Sequence, residues 1–449
     1  MGRFALALAV LATLILGLLS ACENQPSPNG IGIAFRTVVA LPSVSPTAVN
    51  APTATPPGAC PLVSDSQLRD AAELVSTLSL EQEVGQMMMV GIAGPSLDNL
   101  SRDTITNYHF GNVALLGRNL ESVDATRTLT AELQKAASET ANGMGMLIAA
   151  DLEGGSVWRV PPDVPGFPSA ATLGATGSAE LAEQAGKAVA GLTLALGINT
   201  DLAPVLDVND NPANYVIGTR SYGDNPDLVA TIGKAFMSGL QCGHVVPVGK
   251  HFPGHGSTSG DPHEVLPVVD DGIAKIRAVE LEPFRRAIES GLPAVMTAHV
   301  YYPALSGPVP VPATLSREVV TGVLRDQLNF GGVVLSDDFA MGAITGNYGI
   351  VDAAIRAVNA GVDVIVIAGP WDATQEELLS RQTAIHEGLV RAVEDGRLGR
   401  EVVDAAVTRI IALKLAFGVG SEQEDIDPGP AVLEVENVAQ RIGQAAAAR

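Results

Sequence analysis

Hydrophobic and polar positions follow two alternating patterns from about residue 66 onward. Short apolar runs rich in β-branched residues predict buried strands, and longer segments with helical period separate most of them. The strands predicted in this way cover residues 87–92, 112–116, 146–150, 199–205, 244–250, 293–298, 333–336 and 363–368. The predicted helices include residues 179–196, 227–240, 273–289 and 317–328.

Continuous apolar strands that alternate with helices indicate a parallel sheet covered by helices. About eight such units is the number in a (β/α)8 TIM-type barrel. We therefore expect an α/β fold with a single catalytic domain. A doubly wound open sheet is the alternative, but no Gly-rich phosphate loop follows the first predicted strand.

The first 22 residues have the pattern of an export signal. Arg3 precedes an apolar run over residues 4–19, which is short for a membrane span, and small residues come just before Cys22. We interpret residues 1–22 as a lipoprotein signal peptide, and we expect a lipidated Cys22 to tether the protein to the outer face of a membrane. An uncleaved anchor helix is the alternative.

Composition divides the rest of the chain into three parts. Residues 23–60 are rich in Pro, Thr and Ser, which predicts a disordered linker. Residues 61–420 carry the alternating pattern and are expected to form the barrel. Residues 421–449 form an acidic, Ala-rich tail with no assigned role. Export would permit a disulfide between Cys60 and Cys242, but the sequence leaves that pairing open.

Charge excludes some classes of partner. The chain of 449 residues has a formal net charge of −22. A nucleic-acid-binding protein has to supply cations to the phosphates, so this charge argues against nucleic acid. It also argues against a basic patch that would bind an anionic membrane. We expect the lipid anchor to be the sole membrane contact and the protein to be a monomer.

Polar residues collect where the predicted strands end. Because the active site of a TIM barrel lies at the carboxyl ends of its strands, these residues predict one polar pocket. They are Asp151, Asp207, Asn209, Lys250, His251, Thr297, His299, Asp337 and Asp338.

Residues 249–267, "GKHFPGHGSTSGDPHEVLP", contain three of the chain's seven histidines. A metal site is one interpretation, but Pro253 and the neighbouring glycines prevent His251 and His255 from sharing a helix face. A structural polar loop is the second. In the third, Asp261 orients His263 and raises its pKa, which makes a general acid/base on a mobile loop.

The segment "VVLSDDFAMGAI" suggests the other half of such a mechanism. Two adjacent carboxylates follow a buried strand, and alternation directs one of them toward the barrel axis. A carboxylate there can attack an anomeric carbon while an acid protonates the leaving oxygen. That combination is retaining glycoside hydrolysis.

Several motifs, in order, resemble glycoside hydrolase family 3, and in particular its single-domain β-N-acetylglucosaminidases. The resemblance covers about residues 68–419. The matching pieces are "LSLEQEVGQMMMVG", "DLEGGSVWR", "VIGTRSYG", "KHFPGHG" with "DPH", "MTAHVYYPAL" and "SDDFAMGAI".

The resemblance implies a role for each matching residue. It implies that Asp337 is the nucleophile and that His263, paired with Asp261, is the acid/base. The positions that would hold the sugar are Asp151, Arg159, Arg220, Lys250 and His251. One departure is Pro262, where the family usually has serine; proline stiffens the loop and could alter its swing.

The expected reaction is removal of terminal, non-reducing β-linked N-acetylglucosamine from peptidoglycan fragments or chitin-type oligosaccharides, with no metal and no cofactor. A β-glucosidase-like hydrolase or a glycoside phosphorylase is one alternative. A sugar-binding lipoprotein without catalysis is the other, although a binding protein has no need of a nucleophile.

Overall fold

The computed structural model describes residues 60–140, 143–258, 260–370, 372–421 and 426–448. The predicted signal peptide, Cys22 and the linker up to residue 59 lie outside the described residues. Among the helices that are described, none combines the length and the apolar character needed to cross a bilayer.

Eight short strands form one parallel sheet: β1 (Met88–Val90), β2 (Asn112–Ala114), β3 (Leu147–Ala150), β6 (Thr200–Asp201), β7 (Val246–Phe252), β8 (Ala294–Thr297), β9 (Val333–Leu335) and β10 (Ile365–Ile367). Their order is β10-β1-β2-β3-β6-β7-β8-β9. Leu335 at the end of β9 also bridges Val364, just before β10, which brings the two edges together as a barrel. A separate antiparallel hairpin follows β3, made of β4 (Leu152–Gly154) and β5 (Val157–Trp158). The predicted eight-stranded barrel is confirmed.

Helices surround the sheet. They are α1 (Asp65–Val75), α2 (Leu80–Gln86), α3 (Asn99–Asn107), α4 (Val123–Ser138), α5 (Ala170–Ala175), α6 (Ala179–Ala195), α7 (Pro226–Cys242), α8 (Ile273–Ala278), α9 (Leu281–Glu289), α10 (Pro303–Ser306), α11 (Gly342–Thr345), α12 (Ile350–Ala360), α13 (Gln375–Glu394), α14 (Arg400–Phe417) and α15 (Pro428–Ala447). A π-helical segment covers Glu318–Gln327, and short 3-10 turns cover Gly117–Asn119, Gly218–Arg220 and Ala313–Leu315.

Local sequence fixes several helix starts. The Ser178 side chain accepts a hydrogen bond from the N–H of Leu181 at the start of α6. Asn225 caps α7 in the same way, and Pro226 occupies its first turn, where a missing N–H does no harm. These caps explain why the predicted starts of both helices are close to the observed ones.

The single helix predicted over residues 273–289 is wrong, because the structure has two, α8 and α9, with a break at Val279 and Glu280. The hydrophobic period continues through the break. However, the Glu280 carboxylate accepts a hydrogen bond from Ser257 Oγ at 2.5 Å, and the Glu280 side chain packs beside Gly254. We attribute the break to these contacts with the loop after β7, which periodicity does not report.

The described chain begins at the end of the barrel where the strands start. Cys60 is bonded to Cys242, the last residue of α7, which settles the pairing that the sequence left open. Gln241 Nε2 donates to the carbonyl of Pro61 at 2.5 Å. Leu62 lines an apolar cavity of about 250 Å³ with residues that precede β8 and β9.

Within the C-terminal tail, Pro428–Ala447 forms a helix, α15. Val435, Val438 and Ile442 of α15 are fully buried, and their spacing places them on one helix face that packs against α6. The tail that the sequence leaves without a role therefore adds a helix to the outer layer.

Candidate active site

The polar strand-end residues do meet at one end of the barrel, as the sequence predicts. Asp151 follows β3, and Lys250 and His251 lie near the carboxyl end of β7. His299 follows β8, and Asp337 follows β9. Lys250 Nζ pairs with Asp151, and His299 Nε2 donates to the carbonyl of Asp338, the residue after Asp337, so these strand ends are neighbours.

A buried ionic network occupies one side of this end. Lys250, 2% exposed, forms ion pairs with Asp151 and, at 2.7 Å, with Glu153 Oε1. Arg220 donates two hydrogen bonds of 2.8 Å to Glu153, from Nε to Oε2 and from Nη2 to Oε1. Two cations and two carboxylates thus neutralise each other, which is the condition for burying them.

The network keeps Glu153 and Lys250 charged. Burial by itself would raise the pKa of Glu153, but Lys250 and Arg220 more than offset it and hold that pKa at about 2. Burial would lower the pKa of Lys250, and Asp151 and Glu153 raise it instead. Glu153 was not among the predicted site residues. The segment "DLEGG" could have indicated it, because a spacing of two from Asp151 places both acids on one side of an extended segment.

Asp207 orients His251. The carboxylate Oδ2 lies 2.7 Å from His251 Nδ1, and Oδ1 accepts the backbone N–H groups of His251 and His255 at 3.1 and 2.8 Å. Because an ionised carboxylate only accepts, Nδ1 carries the proton and Nε2 stays free to accept, here from Arg220 Nη2 at 3.4 Å. Burial would raise the pKa of Asp207, but His251 keeps it lowered. The sequence named Asp207 as a strand-end residue without this role.

The two adjacent carboxylates differ in environment. Burial would raise the pKa of Asp337, but His299, His251 and the N–H of Asp338, at 2.8 Å from Oδ1, lower it. Burial raises the pKa of Asp338 to about 6, and its Oδ1 accepts the N–H of Ala340 at 2.8 Å. Asp337 is therefore the ionised carboxylate among imidazoles, while Asp338 stabilises the turn.

His299 stabilises the turn that contains Asp337 and Asp338. Its ring is fully buried, Nδ1 lies 2.8 Å from Thr314 Oγ1, and Nε2 donates to the carbonyl of Asp338 at 3.2 Å. The sequence named His299 only as the end of a strand. Its function as a support depends on Thr314, fifteen residues later, which no local pattern connects to it.

The loop after β7 carries the predicted acid/base pair. His263 Nδ1 lies 2.8 Å from Asp261 Oδ1, which also accepts the His263 backbone N–H at 2.9 Å. The His263 side chain is 68% exposed, so its Nε2 is open to a substrate. Burial would raise the pKa of Asp261, but the N–H and the ring of His263 lower it.

Arg159 lies just after the β4–β5 hairpin. Its backbone N–H donates to the carbonyl of Asp151 at 2.9 Å, which brings the two residues together. Trp158 stacks on Phe167 with ring centroids 5.2 Å apart, and its Nε1 donates to the carbonyl of Pro165. Trp158 therefore stabilises the hairpin that carries Arg159.

The histidines at the start of the loop have separate partners. His255 Nδ1 lies 2.9 Å from Thr258 Oγ1, while His251 is held by Asp207. In the described part of the chain, no group of three or more His, Cys, Asp or Glu side chains is arranged to hold a metal ion.

Comparison with known proteins decides the family. The family described as "Glycosyl hydrolase family 3 N terminal domain" matches residues 79–413. The chain belongs to glycosyl hydrolase family 3. The candidate site residues from Asp151 to Asp338 all lie within the matched range.

Relatives of known name agree with this assignment. The chain is 37% identical over 302 residues to a Beta-hexosaminidase of Nitrosomonas eutropha, covering 66% of this chain and 84% of that one. It is 34% identical over 326 residues to Beta-hexosaminidase A of Pseudoalteromonas piscicida, covering 70% of this chain. The match spans 54%, about half, of that longer relative.

A solved structure extends the likeness to three dimensions. A glycoside hydrolase family 3 beta-N-acetylglucosaminidase from Paenibacillus sp. str. FPU-7 has a TM-score of 0.75 and 40% identity to this chain. The match covers 81% of this chain and 68% of that one. The family barrel and this chain's barrel are therefore the same fold.

Proposed function

We propose that this family 3 glycoside hydrolase removes terminal, non-reducing β-linked N-acetylglucosamine with retention of configuration. The observation that carries the proposal is that one end of the barrel has both an ionised carboxylate, which follows β9, and an exposed, carboxylate-supported histidine on the loop after β7. The names of the relatives support the choice of sugar.

The reaction has two steps. Asp337 attacks the anomeric carbon, the bond to the leaving oxygen breaks, and His263 Nε2 gives its proton to that oxygen. Water then attacks the same carbon, His263 accepts its proton, and the bond to Asp337 breaks. Asp261 accepts the Nδ1–H throughout, which stabilises the charged ring in the first step.

The ionic network supplies the sugar-binding groups. We propose that Asp151, Arg159, Arg220, Lys250 and His251 hold the hydroxyl and acetamido groups. Lys250 and Arg220 are fixed by Glu153, and His251 is fixed by Asp207. Polar groups held in this way bind a ligand without first having to reorganise.

A panel of aryl β-glycosides tests the proposal. Purified protein should release the aryl group from the N-acetylglucosaminide faster than from the glucoside. In the absence of phosphate, the product should be the free sugar, and the anomer that forms first should be the β anomer. A sugar 1-phosphate formed only with phosphate would favour a phosphorylase, and binding without turnover would favour a sugar-binding protein. Either result would contradict hydrolysis.

We further propose that the enzyme is a monomeric lipoprotein on the outer face of a membrane. The support is the apolar run that ends in small residues before Cys22. Cys22→Ala should abolish metabolic labelling by a fatty acid, while Cys60→Ala, the matched control, should keep it. Unchanged labelling of the Cys22 variant would contradict the anchor.

A further inference from the structure

The acid/base loop touches the nucleophile loop through its main chain. The N–H of Gly342 donates to the carbonyl of His263 at 3.1 Å, and the N–H of Ala343 donates to the carbonyl of Pro262 at 3.0 Å. These two N–H groups belong to the first turn of α11, which begins five residues after Asp337. The two loops that would carry the two catalytic groups are therefore directly joined.

The contact is close enough to require glycine. A Cβ atom built on Gly342 would lie 2.4 Å from the carbonyl oxygen of His263 and 3.1 Å from that of Glu264. Real Cβ atoms do not approach a backbone oxygen at 2.4 Å, so any side chain at this position would push the loop away. The α11 side of the contact cannot yield easily, because Ala343 and Ile344 are fully buried.

The rest of the loop has its own attachments on either side. Asn214 Nδ2 holds the carbonyls of His255 and Gly256 at 2.7 and 3.0 Å. Further on, the N–H of Val269 donates to Tyr301 at 2.9 Å. Between these attachments, the exposed His263 ring has Asp261 as its side-chain partner. The position of the ring relative to α11 therefore depends on the contact at Gly342.

We propose that Gly342 is a positioning residue, which docks the acid/base loop onto the nucleophile loop and so sets the separation of His263 from Asp337. The inference rests on the proposed function, since it takes these two residues as acid/base and nucleophile. A retaining enzyme needs its two catalytic groups at a fixed separation across the scissile bond. Misplacement by about 1 Å is enough to slow a reaction greatly.

Gly342→Ala tests the proposal through leaving groups. A displaced His263 protonates the leaving oxygen poorly, so kcat/KM for substrates with poor leaving groups should fall by about tenfold or more. The dinitrophenolate of a dinitrophenyl N-acetylglucosaminide departs without a proton. The rate of the glycosylation step with this substrate should therefore change by less than about threefold. The slope of log kcat/KM against leaving-group pKa should therefore steepen, as it should in His263→Ala.

Gly349→Ala is the matched control. It is the same change in the same segment, and a Cβ there would meet only Asp352 Oδ2, at 3.9 Å, which is an ordinary contact. It should leave the slope unchanged. Glycosylation by the dinitrophenyl substrate, followed as the burst of released phenol, reports whether Gly342→Ala still folds and still has a working Asp337.

A second variant and a rescue keep the proposal testable if Gly342→Ala folds poorly. Pro262→Gly frees the loop and should show a smaller effect of the same kind. Azide attacks the anomeric carbon of the glycosyl-Asp337 intermediate and breaks the bond to Asp337 without needing a base. It should therefore restore turnover of the dinitrophenyl substrate, for which the second step limits the rate, in both variants. Equal loss on good and poor leaving groups, or no loss at all, would overturn the proposal. If the wild type cleaves no N-acetylglucosaminide, the proposed function itself fails.

Discussion

Two lysines, buried at opposite ends of the barrel, respond to burial in opposite ways. Lys250, at the end where the strands finish, pairs with Asp151 and Glu153, and its pKa is raised. Lys414 lies at the end where the strands begin. Its hydrogen-bond partners among the described residues are two neutral acceptors, Gln86 Oε1 at 2.7 Å and the carbonyl of Gly111 at 2.9 Å. Burial lowers its pKa to about 7.

The difference shows that the partners of a buried charge, and not burial alone, decide its state. Lys250 is 2% exposed and Lys414 is 3% exposed, so the exposure is the same. At the end with Asp337, carboxylates keep the cation charged and fixed, where we propose that it binds the sugar. At the opposite end, neutral groups leave the lysine near its point of deprotonation, where burial of its charged form costs stability.

The largest expected effect is on the chemistry of the catalytic end. Asp337→Ala should lower kcat by on the order of 10⁴-fold or more, because the covalent intermediate cannot form. Asp338→Ala should do much less to activity, because Asp338 bonds the main chain of its own turn. Loss of activity in Asp338→Ala with activity retained in Asp337→Ala, measured on one aryl glycoside, would reverse the assignment.

The acid/base has the next largest effect. His263→Ala should slow substrates with poor leaving groups by about 10²- to 10⁴-fold and activated aryl glycosides far less. Asp261→Asn should show a milder form, because the ring loses its ionised acceptor. A chelator should change neither variant nor the wild type. Inactivation of the wild type by a chelator, with recovery in zinc, would replace the acid/base by a metal.

Glu153→Gln removes a negative charge that compensates two cations of the buried network. Lys250 and Arg220 would lose a charge partner, and the free energy of unfolding should fall by about 3–5 kcal/mol, with a rise in KM. Glu282→Gln, on the partly exposed pair with Arg285, should change it by less than about 1 kcal/mol. If denaturant titrations showed equal effects of both substitutions, the charge of Glu153 would not be needed to compensate Lys250 and Arg220.

The pH dependence of the Glu153 contribution follows from its pKa. The folded value of about 2 lies below the usual 4.5, so the stabilisation is complete above pH 4.5. It is lost as the pH falls toward 2. Wild type and Glu153→Gln should therefore converge in stability in acid.

Lys414→Met should have the smallest effect, and its difference from the wild type should disappear in alkali rather than in acid. The folded pKa of about 7 lies below the usual 10.5, so the unfolded chain binds more protons between these values. Burial therefore destabilises the wild type below pH 7, and this penalty disappears as the pH rises toward 10.5. The variant should be more stable than the wild type at pH 6, by about 1–4 kcal/mol, and should lose that advantage by pH 10.

Equal destabilisation of Lys414→Met at both pH values would contradict this account. It would mean that the hydrogen bonds to Gln86 and Gly111 contribute more than burial of the ammonium costs. Denaturant titrations at pH 6 and pH 10 measure the difference directly.

Sequence patterns predicted the barrel and the strand-end location of the site because both depend on local periodicity. Each apolar run has to be buried, and each polar residue just after a run has to lie at the same end of a parallel sheet. The pair Asp261 and His263 could also be predicted, because its members are two positions apart and the loop bends back locally.

The supporting contacts could not be predicted from local patterns, because they join residues that are far apart in the sequence. Glu153 bonds Arg220, 67 residues away, and Asp207 holds His251 from 44 residues away. Gly342 meets His263 across 79 positions, and the break between α8 and α9 comes from Glu280 turning to Ser257. The sequence by itself determined which residues are buried, which lie at strand ends and which local pairs form. Only the tertiary structure decided which charges compensate one another and how closely the two catalytic loops approach, because those depend on side chains that the fold brings together from distant parts of the chain.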